Sequence, residues 1–262
     1  MNMKKAFIAA LALCALAVSC SKENRTAALM KAVKNNDAFK ARWLIRASAD
    51  VNTKDDEGIT ALMYAATNNA ADVAKLLIQA GADVNAKDSK GMTALMYAAE
   101  KNAMDTARLL ITAKADLNIK DKDGRTALMF AARNNAEDIA RLLVNAGADV
   151  NATDDESETA LMQAARNNAA GIAELLIAAG ADINAKDSYG RTAFVYALRN
   201  NAIDVASLLI DAITHLDNKS YDDMKDMLYD AADSNAADLV KLLIEAGADV
   251  NAKTNNRLDC AD

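Results

Sequence analysis

Short apolar stretches alternate with polar turns along most of the chain, and the alternation has a fixed length. One stretch has the form TALMYAA, and the next has the form VAKLLI, whose apolar positions recur three and four residues apart. That spacing places the apolar residues on one stripe of an α-helix. Neither stretch is long enough to be stable as an isolated helix. The pattern therefore predicts pairs of short helices that bury their stripes against neighbouring pairs.

The pattern returns every 33 residues, as the series Thr60, Thr93, Thr126, Thr159 and Thr192 shows. Leu-Leu pairs and turns related to GADVN keep the same interval, and a last GADVN at residue 247 is displaced by one position. The displacement predicts a one-residue insertion between about residues 211 and 227. Each threonine precedes a predicted helix, so its hydroxyl is expected to cap that helix by accepting from a backbone N–H. A repeat of this length indicates a solenoid.

The threonine-led helix, the second helix and the GADVN turn together resemble the ankyrin repeat. The resemblance implies an all-α solenoid of about seven helix-turn-helix units joined by β-hairpin-like turns. Three positions depart from the family pattern: Ala61 replaces a proline, Met63 a histidine, and Asn69 a glycine, although asparagine tolerates the same positive φ. The predicted repeat domain covers residues 26–253, with units 22–54, 55–87, 88–120, 121–153, 154–186, 187–220 and 221–253 and a tail of 254–262.

The first twenty residues have the pattern of a secretion signal. Lys4 and Lys5 precede an unbroken apolar run over 6–18, which is shorter than the roughly 20 residues of a membrane-spanning helix. The run ends in LAVSC and resembles a bacterial lipoprotein signal, in which Cys20 is lipidated. We therefore expect cleavage of residues 1–19, a lipidated tether of 20–25, and an envelope protein facing the periplasm or the exterior. Secretion without a lipid is the alternative.

Composition and charge restrict the class of protein further. The chain carries a net charge of −7, which argues against binding nucleic acid by neutralising phosphates. It has no proline, and 4% of its residues are aromatic, a balance that favours helices. After cleavage the cysteines are Cys20 and Cys260, so no internal disulfide framework is expected.

Residues that suggest chemistry have simpler interpretations. His215 is the only histidine, which excludes a multi-histidine metal site, and we predict that it is a loop residue. The turn aspartates, such as Asp83 and Asp182, are expected to bond their own backbone rather than a metal. Residues that recur at equivalent positions are interpreted as packing: Met63, Met96, Met129, Met162, Tyr64, Tyr97, Phe130, Tyr196 and Tyr229. The sequence thus predicts a protein without a cofactor that is not an enzyme.

The resemblance implies that partners bind at the hairpin tips and the first helix of each unit, on the concave face of the repeat stack. The predicted function is a monomeric scaffold for a partner protein, held at the membrane by its N-terminal lipid. The alternative is a structural or protective accessory that stabilises or restrains an envelope enzyme. Candidate contact residues are Ile59, Lys90, Met92, Arg125, Arg133, Arg166, Tyr189, Arg191 and Arg199.

Three of these arginines occupy one position in consecutive units. Stacking is expected to place Arg133, Arg166 and Arg199 in a row about 10 Å apart, which suits an acidic partner. The alternative is a solvated row neutralised by the acidic segment 154–158. Ile59, Met92 and Tyr189 are predicted to be exposed apolar anchors on the hairpin tips.

The fifth unit departs most from the repeat pattern. Ser157 replaces the turn glycine, Gln163 replaces the aromatic residue, and Gly171 replaces an aspartate in the second helix. A glycine inside a helix costs about 1 kcal/mol relative to alanine. We therefore expect the earliest local opening over residues 154–176.

Overall fold

Helices make up nearly all of the regular structure. The computed structural model describes residues 21–215 and 221–250. Within these ranges there are fourteen α-helices and no strand; two isolated antiparallel bridges join Lys54 to Thr60 and Thr153 to Thr159. The predicted all-α repeat fold is confirmed.

The helices form seven successive pairs, each with a first and a second helix. The first helices are α1 (Lys22–Lys34), α3 (Ala61–Thr67), α5 (Ala94–Glu100), α7 (Ala127–Arg133), α9 (Ala160–Arg166), α11 (Ala193–Arg199) and α13 (Tyr221–Asp233). The second helices are α2 (Ala38–Arg46), α4 (Ala71–Gln79), α6 (Met104–Thr112), α8 (Glu137–Asn145), α10 (Ala170–Ala178), α12 (Ile203–His215) and α14 (Ala237–Glu245).

The chain divides into two compact units. The N-terminal unit reaches to Ala127 and includes Asn145–Gly147, and the C-terminal unit comprises Leu128–Val144 and the residues from Ala148 onward. In the N-terminal unit α3 lies against α1 and α5, and α4 lies against α2 and α6. In the C-terminal unit α11 lies against α9 and α13, and α12 lies against α10 and α14. Each unit therefore stacks like helices on like helices, as a solenoid does.

Threonine hydroxyls cap the first helices α3, α5, α9 and α11, as predicted. The Met63 N–H donates to Thr60 Oγ1 at 3.3 Å, and the Met96 N–H donates to Thr93 Oγ1 at 3.3 Å. Both methionines are 1% exposed, and the Met63 sulfur accepts from the Thr60 N–H at 3.3 Å. Methionine therefore fills the space at this position and also completes the cap.

Polar turns join successive pairs through asparagine side chains. Asn52 Oδ1 accepts from the Asp83 N–H at 2.8 Å, and Asn52 Nδ2 donates to the Gly81 carbonyl at 3.1 Å. Asp83 itself accepts from the Asn85 N–H at 2.9 Å, so the predicted role of the turn aspartates is confirmed there. The recurring GADVN turn thus links neighbouring pairs by hydrogen bonds.

Asparagine also supplies the turn between the two helices of a pair. The residues predicted to replace glycine there all have positive φ: Asn69 (48°), Asn102 (52°), Asn135 (52°), Asn168 (50°) and Asn201 (53°). At the hairpin tip of the fifth pair, Ser157 adopts φ 62°, a conformation that a non-glycine residue adopts at a cost. This strain favours the early opening of the fifth pair, which stays a prediction.

Two segments differ from their predictions. The helix α12 runs from Ile203 to His215, so the prediction that His215 is a loop residue is wrong. This repeat lacks a GADVN turn and has a longer second helix instead. The predicted tether also differs, because Lys22 to Arg25 form the first turn of α1, which Ser21 caps by accepting from the Asn24 N–H.

The packing role assigned to Tyr229 is wrong. The positive-φ residues Asn201 and Asn235 lie 34 positions apart, so the inserted residue precedes α13 or lies within it. Asp230, rather than Tyr229, therefore corresponds to Tyr196. The Tyr229 side chain is consequently turned toward solvent and is 45% exposed.

Candidate functional site

An aspartate organises each hairpin tip. Asp55 Oδ1 accepts from the Ile59 N–H at 2.9 Å, and Asp187 Oδ1 accepts from the Arg191 N–H at 2.8 Å. The same arrangement recurs at Asp88, Asp121 and Asp154. We call these five residues the tip aspartates. Each tip is thereby closed by hydrogen bonds to its own backbone.

Tyrosines from the first helices hold three of the tip aspartates. The hydroxyl of Tyr64 donates to Asp55 Oδ2 at 2.6 Å, and that of Tyr97 donates to Asp88 Oδ2 at 2.7 Å. Tyr196 donates to Asp187 Oδ2 at 2.7 Å. These tyrosines therefore do more than pack, because they fix each hairpin to the helix that follows it.

Of the three predicted apolar anchors, one is buried. Met92 is 7% exposed, so its prediction as an exposed contact is wrong: the side chain turns into the core beneath the tip. Ile59 is half-buried, and Lys90 is exposed. Tyr189 is 70% exposed, which confirms its predicted exposure.

Two of the predicted contact arginines are bound to tip aspartates. Arg125 Nε lies 3.0 Å from Asp121 Oδ2, and Arg191 Nε lies 2.6 Å from Asp187 Oδ2. Their side chains are 28% and 23% exposed. Each guanidinium therefore binds the tip aspartate of its own hairpin, which reduces what it can contribute to a contact with a partner.

A buried carboxylate lies at the fifth hairpin. Glu158 occupies the position of Arg125 and Arg191 and is 3% exposed. It accepts from Gln163 Nε2 at 2.6 Å and from Arg166 and the Tyr196 hydroxyl. The Gln163 Oε1 atom is buried and has no hydrogen-bond partner within the described ranges. We call Glu158, Gln163, Arg166 and Tyr196 the Glu158 network.

Guanidinium groups and aromatic rings stack beside this network. The Arg166 and Arg191 guanidinium carbons lie 4.6 and 4.9 Å from the centre of the Tyr196 ring. Arg191 also lies 4.5 Å from the centre of the Tyr189 ring. Cation–π contacts of this kind hold the rings in place. Tyr189 is therefore an exposed aromatic residue on a stiff base.

The three arginines of the predicted row, Arg133, Arg166 and Arg199, differ in whether they form an ion pair. Arg166 pairs with Glu158, so the predicted neutralisation by the segment 154–158 is confirmed for Arg166. Arg133 and Arg199 are exposed, and neither joins an ion pair within the described ranges. These two arginines are available to an acidic partner.

Tip aspartates differ in charge environment. Burial raises the pKa of Asp154, and the negative charges of Glu158 and Glu156 add to this, although the N–H groups of both residues donate to it. Burial also acts on Asp187, but hydrogen bonds from Arg191 and Tyr196 outweigh it and hold its pKa below the usual value. Burial, followed by the hydrogen bond to Glu158, raises the pKa of Tyr196.

Stability at the two hairpins should therefore depend on pH in opposite directions. The raised pKa of Asp154 means that the folded state binds more protons, so its contribution falls as the pH rises past the ordinary value of 3.8. Asp154→Asn is expected to be more stable than the parent near neutral pH and to lose this advantage as the pH falls. Asp187→Asn is expected to be less stable than the parent near neutral pH, and this difference should shrink as the pH falls below about 3.8. Denaturant unfolding between about pH 2 and pH 7 checks both, because the lowered pKa of Asp187 takes effect below its ordinary value of 3.8, and parallel pH profiles for the two variants would contradict the assignment.

The described ranges hold no group of three or more histidine, cysteine, aspartate or glutamate side chains able to bind a metal ion. None of their helices combines the length and the apolar character that a membrane span needs. Gln163 was not predicted as a site residue, and Glu158 was predicted only as a hairpin-tip residue of the acidic segment 154–158. The available signal was the pair of exceptions in one unit, an acid at an arginine position and an amide at an aromatic position.

Known families match nearly the whole repeat region. A model described as ankyrin repeats (3 copies) matches residues 4–88, 81–154 and 161–254, and one described as ankyrin repeats (many copies) matches 134–177. No match was found among curated proteins.

Proposed function

Because the chain belongs to the ankyrin-repeat family, whose repeats generally mediate protein–protein interaction, we propose that it is a scaffold that binds a partner protein in the bacterial envelope. Its mechanism is recognition without catalysis, which is typical of the family. Contact is made through the hairpin tips and the first helices. The partner is recognised by the residues that differ between pairs, because the residues common to all pairs build the stack.

The observation that carries this proposal is the exposure of Tyr189 on a stiff base. A ring that is 70% exposed loses little conformational freedom on binding when Arg191 already stacks on one of its faces. The hairpin is also bound to its neighbour, because the Ser188 N–H donates to the Glu156 carbonyl at 2.8 Å. Exposed tyrosines on rigid supports are frequent binding hot spots.

Tyr189→Ala tests the proposal. In the native cell, crosslinking followed by mass spectrometry should identify a partner of the parent protein, and the variant should bind it at least about ten-fold more weakly. Ile244→Ala is the matched control, because this residue is 46% exposed but lies on a second helix. Equal recovery of the partner with Tyr189→Ala and with the parent would contradict the proposed contact.

The free arginines add a salt-dependent contribution. Arg133→Ala combined with Arg199→Ala removes the two exposed guanidinium groups of the arginine row and leaves the Glu158 network intact. The variant should bind the same partner more weakly at low salt, with the difference shrinking as salt is added. An unchanged affinity and salt dependence would remove the arginines from the interface.

Lipidation places the scaffold at a membrane in this proposal. Cys20 lies outside the described residues, and the support for its modification is the basic, apolar and small-residue pattern that precedes it. Palmitate fed to the native cells should label the parent chain and leave Cys20→Ala unlabelled. Labelling of the alanine variant would place the lipid elsewhere or show that the signal has another use.

A further inference from the structure

The first helix pair carries an unusual charge. Residues 22–46 contain seven lysines and arginines against two acids, a net charge of +5 in a chain that carries −7 overall. The basic character is thus concentrated beside Cys20. An end pair of a solenoid needs a polar outer face, but either sign of charge satisfies that need.

Helix α2 has two faces of different chemistry. Ala41 and Leu44 are buried against α1 and α4. Phe39, Arg42, Trp43 and Arg46 lie on the opposite side by helical spacing. Phe39 is 57% exposed, Arg42 and Arg46 are exposed, and Trp43 is half-buried. We call these four residues the outer face of α2.

The other second helices lack this combination. The position of Phe39 holds Asp72, Asp105, Asp138, Gly171, Asp204 or Asp238. The position of Arg46 holds Gln79, Thr112, Asn145, Ala178, Asp211 or Glu245. An acid in the first turn of a helix is favourable, so an exposed phenylalanine there gives up stabilisation without burying its ring. The repeat pattern therefore does not account for Phe39 or Arg46.

Aromatic rings beside arginines are suited to the interface between lipid headgroups and acyl chains. The rings enter the boundary while the guanidinium groups remain among the phosphates. Arg42 and Arg46 are exposed and form no ion pair within the described ranges. Their charges are therefore available to anionic headgroups. Screening over about 10 Å keeps the acidic remainder of the chain from cancelling this attraction.

We propose that the outer face of α2 docks on a membrane surface rich in anionic phospholipid. This proposal rests on the envelope location proposed above, because a lipid on Cys20 would hold the first pair at the membrane. The acyl chain supplies the anchor, and the outer face of α2 fixes which side of the first pair meets the headgroups. The first pair then has a set orientation on the membrane rather than a free one.

The test uses the chain from residue 20 onward with Cys20→Ala, which contains every described helix and neither lipid nor signal. Vesicles of phosphatidylglycerol and phosphatidylcholine are sedimented with it. Binding should rise with the phosphatidylglycerol fraction and fall with added salt. Phe39→Asp combined with Arg46→Gln, which installs the residues of α4 at these positions, should weaken binding about ten-fold.

Lys75→Gln combined with Lys101→Gln is the control, since it lowers the net charge of the N-terminal unit by the same amount at two exposed positions. Docking through the outer face of α2 is supported if this control variant binds the vesicles as well as the parent does while the Phe39→Asp, Arg46→Gln variant binds them more weakly. An equal loss in both double variants would show a nonspecific charge effect and overturn the proposal. Absence of vesicle binding, or equal binding to pure phosphatidylcholine, would overturn it as well. None of these negative results bears on the proposed function, which the partner crosslink and the palmitate label test separately.

Discussion

Replacing Glu158 with alanine is expected to lower the free energy of unfolding of the C-terminal unit by about 3 kcal/mol. The carboxylate is 3% exposed and is the hydrogen-bond partner of Gln163, itself 5% exposed. Without it, the whole buried Gln163 amide would lack a hydrogen-bond partner in the described part of the chain, because its oxygen already lacks one there. Arg166 is 39% exposed and can return to water, which keeps the loss below that of a fully buried ion pair.

Glu156→Ala is the control for this experiment, because Glu156 belongs to the same hairpin and is exposed. Its effect should stay within about 0.5 kcal/mol. A second variant tests the explanation: Glu158→Arg with Gln163→Tyr reproduces the arrangement of Asp187, Arg191 and Tyr196 around Asp154. This double variant should lose less stability than Glu158→Ala, because the introduced arginine and tyrosine can pair with Asp154, although the arginine lies beside Arg166 and Arg191. A loss under about 1 kcal/mol for Glu158→Ala would show that the network contributes little.

The fold was predictable because each repeat contains local sequence signals that specify its helices and turns. A threonine cap, an apolar stripe and an asparagine with positive φ act over a few residues, and they recur often enough to be recognised together. Where the repeat pattern was interrupted, the predictions for individual residues were wrong. Without a GADVN turn, α12 continued to His215, and one inserted residue removed Tyr229 from the position assigned to it.

The site was predictable only in part, since it depends on contacts between different pairs. Exposure of Tyr189 follows from its place at a hairpin tip, whereas the burial of Met92 depends on how the tip folds over the core. The partnership of Glu158 with Tyr196 joins residues 38 positions apart, and no local pattern predicts it. An unusual residue type marked the place without showing the contact.

Gly171 shows the same difference between local and tertiary reasons. From sequence it is a weak point, because glycine lowers the stability of a helix. In the structure, a Cβ at this position would lie 2.5 Å from Glu137 Oε2, in the preceding pair. Glu137 also pairs with Arg141 at 2.8 Å, so the glycine leaves this flexible surface carboxylate where it lies, although the carboxylate could move aside at little cost. A residue that weakens its own helix thus accommodates the neighbouring one.

The hairpin glycines allow the effect of close contact to be separated from that of backbone conformation. Gly91 and Gly190 have φ of 80° and 75°, and each donates its N–H to a tip aspartate carbonyl. A Cβ on Gly91 would lie 2.9 Å from the Lys122 nitrogen, which donates to the Lys90 carbonyl at 2.9 Å. A Cβ on Gly190 would have no neighbour within 4 Å among the described residues.

Gly91→Ala is therefore expected to destabilise the N-terminal unit by about 3 kcal/mol, and Gly190→Ala to destabilise the C-terminal unit by about 1 kcal/mol. Both variants bear the cost of a left-handed alanine, but among the described residues only the first forces two hairpin backbones apart. Native-state hydrogen exchange at α5 and α11 measures the two effects separately, because the two compact units need not unfold together. Equal losses would mean that backbone conformation alone requires glycine at the tips, and that the bond between neighbouring hairpins adjusts to a methyl group.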